Sequence, residues 1–292
     1  MCDELTVQDN EKFFKESGTL TRRQFNTLAA GAALSMMLPP VANAVEVVGR
    51  DVNVTTPDGT ADCYFVHPRA SKSPGVLIWP DIVGLRPAFR AMGDRLAKSG
   101  YAVLVVNPYY RKARAPVVPE GSSFQDEATR KILYPLARSL SPETNVTDAK
   151  AFVNFLDKQD AVDTTRKIGT TGYCMGGPMM MRTAAAIPDR VGAGGSFHGA
   201  SLVNDTPDSP HLLIPKMKAQ FLIAIAGNDD ERQPEAKTVL RKEFDQAGLK
   251  AEIEVYKGTL HGWCPPDSRV YNEAQAERAW SRLLVLFKEA LA

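Results

Sequence analysis

Hydrophobic and polar positions divide most of the chain into short elements. Residues 46–54 and 61–66 alternate apolar with polar around the turn Thr55-Thr-Pro-Asp-Gly-Thr60. Alternation flanking a Pro-Asp-Gly turn predicts an antiparallel hairpin. Residues 75–79 and 101–106 are unbroken apolar runs, the pattern of strands buried on both faces. Between them, residues 87–99 carry Phe89, Met92, Leu96 and Ala97 at helical spacing, and Gly100 stops the helix. Residues 109–141 are irregular and charged, with a short helix predicted over 126–134. The spacing of Val146, Ala149, Phe152, Val153 and Leu156 predicts a helix over 145–159. A strand over 166–171, a glycine-rich turn and a helix over 178–187 follow. Strands are predicted over 191–197, 219–226 and 251–256, with a proline-containing loop after the first. Helices are predicted over 235–246 and 273–291, and 227–230 reads as a loop. A hairpin followed by repeated strand–helix units predicts an α/β protein. Its sheet has about eight strands, mostly parallel, with an antiparallel N-terminal start and helices on both faces. Functional groups in such sheets gather in the loops after the carboxyl ends of the strands.

The first 44 residues do not fit this scheme. Residues 1–18 are polar and lack a convincing apolar period. Thr21-Arg22-Arg23-Gln24-Phe25 then precedes a mildly apolar stretch over 28–38, Pro39-Pro40 breaks it, and Ala42-Asn43-Ala44 closes it. A charged region, a short apolar region and a small-x-small site read as an export signal. The paired arginines give it the twin-arginine type. The expected organisation is therefore a signal over 1–44 and one α/β domain over 45–292. A partner of the precursor would be the twin-arginine export machinery, and the destination the bacterial periplasm or exterior.

Composition narrows the functional classes. The 292 residues carry a net charge of +1, which gives no reason to expect a nucleic-acid partner. No run is long and apolar enough for a stable membrane span, so no membrane association is expected after cleavage. Past the signal there remain Cys63, Cys174 and Cys264, an odd number for an oxidising compartment, and Cys174 is the expected free thiol. Cys63 and Cys264 are read as two buried thiols in preference to a disulfide.

The chemistry centres on Gly172-Tyr173-Cys174-Met175-Gly176-Gly177. Between a strand and a helix, Gly-x-Cys-x-Gly is the nucleophile-elbow pattern with sulfur in place of serine oxygen. There the helix dipole favours thiolate, and backbone N–H groups can hold an oxyanion. Two later strand ends carry Asp229 and His261. A thiol nucleophile needs a base, and the base needs a carboxylate to fix its tautomer. Asp230 competes with Asp229 for the acid position, and Asp229 is preferred. His198, also after a strand, is expected to line the pocket or bond a backbone group.

Gly172-Tyr-Cys-Met-Gly-Gly177, Gly227-Asn-Asp229 and His261-Gly-Trp263 together resemble the dienelactone hydrolase family over residues 45–292. The resemblance implies an α/β-hydrolase fold without a large cap domain. It also implies a cofactor-free hydrolase, acting on a small-molecule lactone or ester through a thioester; separately, no metal and a monomer are expected. The implied catalytic residues are Cys174, Asp229 and His261, with the amides of Ile82 and Met175 as oxyanion hole. Asp81 stands where the family has an acid that engages the thiol and releases it on substrate binding. Arg130 and Tyr134, four residues apart, match a pair that holds a substrate carboxylate, and Trp263 is expected at the substrate site. Readings kept open are a broader carboxylesterase on the same groups and a non-catalytic binding or thiol-redox protein.

Overall fold

A computed structural model describes residues 3–17 and 38–292. Among the described residues eight strands occur: β1 (Val47–Thr56), β2 (Gly59–Pro68), β3 (Gly75–Trp79), β4 (Ala102–Val106), β5 (Ile168–Tyr173), β6 (Val191–Phe197), β7 (Gln220–Ala226) and β8 (Ala251–Tyr256). They form one sheet in the order β1-β2-β4-β3-β5-β6-β7-β8. The β1–β2 and β2–β4 pairs are antiparallel and the rest are parallel, as the initial hairpin and later crossovers require.

The helices are α1 (Glu4–Ser17), α2 (Pro87–Lys98), α3 (Glu127–Arg138), α4 (Pro142–Asp157), α5 (Gly176–Ala186), α6 (Gly227–Arg232), α7 (Ala236–Gln246) and α8 (Glu273–Ala290). A 3-10 helix, Pro210–Lys216, lies inside the expected proline loop. The sheet separates two apolar cores. Leu77, Trp79, Phe152, Met180 and Phe221 belong to one; Phe89, Val103, Leu222, Leu283 and Phe287 belong to the other. Cys63 lies in the first core and Cys264 in the second, and they form no disulfide.

Two expectations change. The 227–230 segment is the start of the short helix α6 rather than a loop. The N-terminal stretch contains α1, which packs on the domain with Thr6, Val7 and Asn10 buried. Asp3 caps it, its Oδ1 accepting from the Thr6 N–H at 3.0 Å and from Thr6 Oγ1 at 3.2 Å. Two of the three buried residues on that face are polar, so no apolar period marks the helix. The paired arginines Arg22 and Arg23 and most of the apolar stretch after them lie outside the described residues.

Candidate active site

Cys174 stands on the turn from β5 to α5 with φ +53°, a left-handed conformation that a side-chain-bearing residue adopts at a cost of about 1–3 kcal/mol. Its neighbours explain how the turn closes. A Cβ on Gly172 would lie 1.9 Å from the Gly176 carbonyl oxygen, and one on Gly176 would lie 2.3 Å from the Trp79 carbonyl oxygen. Both obstacles are backbone and cannot swing aside. Gly172→Ala is therefore expected to cost about 4 kcal/mol or more, read as a fall in the urea midpoint. A wild-type midpoint would mean the turn is not built this way. The Cys174 N–H donates to the Phe197 carbonyl at 3.1 Å, and its own carbonyl accepts from Gly177 and Ala200, both at 3.0 Å. The strained residue is thus held on three sides. Met175, at the N-cap of α5, follows it directly.

His261 lies after β8 and is almost wholly buried. Its backbone N–H donates to Asn228 Oδ1 at 2.9 Å, and its Nδ1 lies 2.7 Å from Asp229 Oδ2. Asp230 faces elsewhere and pairs with Lys237 at 2.5 Å. The helical turn of α6 sets this choice, because successive helical residues point about 100° apart. Nε2 of His261 is buried and finds no nitrogen or oxygen partner. Burial disfavours an imidazolium here. The Asp229 carboxylate and the Cys174 sulfur, charge and hydrogen bond together, outweigh burial and raise the His261 pKa to about 10. The site therefore favours the protonated ring.

His198 ends β6 with φ +40° and meets the His261 ring edge-on, centroids 5.1 Å apart. Burial and the neighbouring His261 push its pKa well below the ordinary value, so it stays neutral. It lines the cavity that also holds Cys174 and His261, and neither of its ring nitrogens is hydrogen-bonded. The alternative expectation, a bond to a backbone group, is not what the ring makes.

The loop after β3 forms one wall, through Asp81, Ile82, Val83 and Arg86. Arg86 donates to Asp81 Oδ1 at 2.7 Å and Oδ2 at 2.9 Å, and to Asp267 Oδ2 at 2.6 Å and Oδ1 at 2.9 Å. Asp81 Oδ1 also accepts the Val83 N–H at 2.9 Å. Burial pushes the Asp81 pKa up while Arg86 pulls against it. Both oxygens of Asp81 thus bond Arg86, and the carboxylate lines the same cavity as Cys174. No local pattern marks this clamp, since Arg86 and Asp267 are 181 positions apart.

Three further expectations are corrected. Trp263 is fully buried behind the site, stacked on Tyr256 with centroids 4.7 Å apart and edge-on to His198 at 6.4 Å. It supports the cavity wall without lining it. Arg130 and Tyr134 do not reach the cavity either. Arg130 donates to the Phe124 and Gln125 carbonyls at 3.0 and 2.7 Å, tying down a loop that does line it. Its Nε lies 3.9 Å from Glu4 Oε1, and the Tyr134 hydroxyl lies 3.5 Å from the same oxygen.

Tyr109 carries a role that no motif announced. It follows β4 and is almost wholly buried. Its hydroxyl donates to the Ile82 carbonyl at 2.7 Å and lies 3.2 Å from Met175 Sδ. One side chain thus braces both residues expected to supply the oxyanion hole.

A mostly parallel sheet whose strands β5, β7 and β8 lead into Cys174, Asp229 and His261 has the α/β-hydrolase architecture. The family model for the dienelactone hydrolase family matches residues 61–291, and the chain belongs to that family. A Methylorubrum extorquens protein provisionally named carboxymethylenebutenolidase is 27% identical over 285 residues, covering 93% of this chain and 94% of its own. A crystal structure titled as a dienelactone hydrolase from Klebsiella pneumoniae superposes with TM-score 0.72 at 19% identity, covering 84% of this chain and 99% of its own. Another, from Anabaena variabilis, gives TM-score 0.60 at 18% identity with the same coverage. The chain is a lactone or ester hydrolase by family.

Proposed function

We propose that the protein hydrolyses a small lactone or ester through a Cys174–His261–Asp229 triad. The observation that carries this reading is the 2.7 Å Asp229–His261 contact at a cavity that also holds Cys174 on its strained elbow. The sulfur, as thiolate, adds to the carbonyl carbon. The Ile82 and Met175 amides stabilise the oxygen that becomes negative. His261 gives its proton to the departing alkoxide, which in a lactone stays attached to the acyl chain. The neutral ring then takes a proton from water, whose hydroxyl attacks the thioester. The carboxylate product leaves, and the imidazolium–thiolate pair returns.

Tyr109→Phe tests the oxyanion hole without touching the reacting groups. The hydroxyl holds the Ile82 and Met175 residues, and its loss is expected to lower kcat about tenfold with KM unchanged. An unchanged kcat would show that the amides keep their places without it.

A broader carboxylesterase is the second reading, favoured by the charge of the cavity wall. Arg86 is paired with both Asp81 and Asp267, and Arg269, also in the wall, lies 3.8 Å from Asp126. Guanidinium charge facing substrate is offset by carboxylates, which suits a neutral ester as well as an acidic lactone. Turnover of dienelactone against that of simple aryl esters separates the two.

The twin-arginine reading supports export to the periplasm or beyond. Cell fractionation and N-terminal sequencing test it: an exported protein beginning at Val45 is expected, and an uncut cytoplasmic one would contradict it.

A further inference from the structure

The helix α1 lies over one side of this site. Thr6 and Asn10 form part of the wall of the cavity that contains Cys174 and His261, and they are 3% and 6% exposed. The Asn10 Oδ1 atom is buried in that wall without a hydrogen-bond partner. Asp9 Oδ2 accepts from Asn228 Nδ2 and from Arg232, both at 2.6 Å. Asn228 in turn holds the His261 backbone, so the helix is fastened to a residue that positions the histidine.

The helix is laid down in an unusual sense. Its polar Thr6 and Asn10 face inward, while Leu5 and Phe13 are 53% and 37% exposed. A helix built as core buries its apolar stripe. This one is held by the Asp9 contacts with Arg232 and Asn228, the longer Glu4 contacts with Arg130 and Tyr134, and one buried valine, mostly partly exposed polar links, so its hold is weak. Undocked, 14 residues form a marginal helix in water. With α1 in place the remaining cavity measures about 80 Å³. An enclosed cavity of roughly 150 Å³ holds benzene, so with the helix docked an aromatic ester finds little enclosed space beside Cys174.

We propose that α1 is a lid acting in cis, which keeps the full-length chain latent and opens the site when it lifts. The proposal rests on the hydrolase reading above. If the chain is also cut after Ala44, as the small-x-small motif suggests, the lid is removed for good and the mature enzyme is open.

The test uses the full-length protein and two readouts. One is hydrolysis of p-nitrophenyl acetate. The other is the second-order rate of alkylation by iodoacetamide, read on the Cys174 peptide by mass spectrometry. Asp9→Lys and Arg232→Glu each break the latch, and the double variant restores it with the charges exchanged. Each single variant is expected to raise both rates about two- to fivefold at low salt, the population shift that loss of such a latch allows. The double variant is expected to return toward the wild-type rates, and added NaCl to accelerate the wild type alone. Faster alkylation without any ester hydrolysis would support the lid and count against the hydrolase reading. Alkylation at the wild-type rate in both single variants, or a double variant as fast as the singles, would overturn the lid.

Discussion

Cys174→Ala is expected to lower kcat for a short activated ester by about 10⁴-fold or more, with fold and stability retained. The size follows from what the residue does. Without the sulfur no acyl-enzyme forms, and the oxyanion amides alone cannot supply a nucleophile. Serine at the same place is expected to remain strongly impaired, because the site is tuned for sulfur. The imidazolium is stabilised in part by charge on the neighbouring sulfur, and a hydroxyl does not ionise to provide it. Steady-state rates on purified variants decide the matter. Residual activity within tenfold of wild type in the alanine variant would mean that the elbow is not the nucleophile.

The second large effect belongs to Asp229. Asp229→Asn is expected to lower kcat by about 10²–10⁴-fold, since the histidine loses both its orienting acceptor and the charge opposite it. Asp230→Asn is expected to change little, because Asp230 is occupied with Lys237. The pH dependence gives a sharper signature. Burial lowers the His261 pKa, and Asp229 with Cys174 raises it to about 10. Removing the carboxylate leaves burial less opposed, so the alkaline limb of kcat/KM moves to lower pH. Stability follows by linkage. A group whose pKa rises on folding, here from 6.5 to about 10, stabilises the fold fully below 6.5. That contribution is lost between 6.5 and about 10. The stability gap between wild type and Asp229→Asn is therefore expected to be widest in mild acid and to shrink as pH rises through this window. A gap independent of pH would show that the pair is not ionic.

Much of this was legible from the chain itself, for identifiable reasons. The strands are apolar runs with clear stops, and the predicted 191–197 and 251–256 match β6 and β8. The elbow is readable because Gly172 and Gly176 have no alternative: backbone occupies the space where their side chains would go. The choice between Asp229 and Asp230 was not decidable along the chain. It turns on whether 227–232 is loop or helix, and a six-residue helix gives too few positions for a period. Asp81 was legible as a cavity carboxylate, but its partners, Arg86 and through it Asp267, are set by tertiary packing and were not. Arg130 and Tyr134 share a helix face at the expected spacing, but that face meets Glu4 and the 124–125 loop. The helix α1 was hidden for a different reason. It covers a polar site, so the face it buries is itself polar, and hydrophobic periodicity cannot reveal such a helix.

The measurement that bears most directly on the whole account is acid quenching during turnover of an aryl ester, followed by peptide mass spectrometry. The account predicts the acyl mass on the Cys174 peptide, released by hydroxylamine as a thioester is. Steady turnover with no acyl group on that cysteine, and with the acyl group found on another residue, would contradict it.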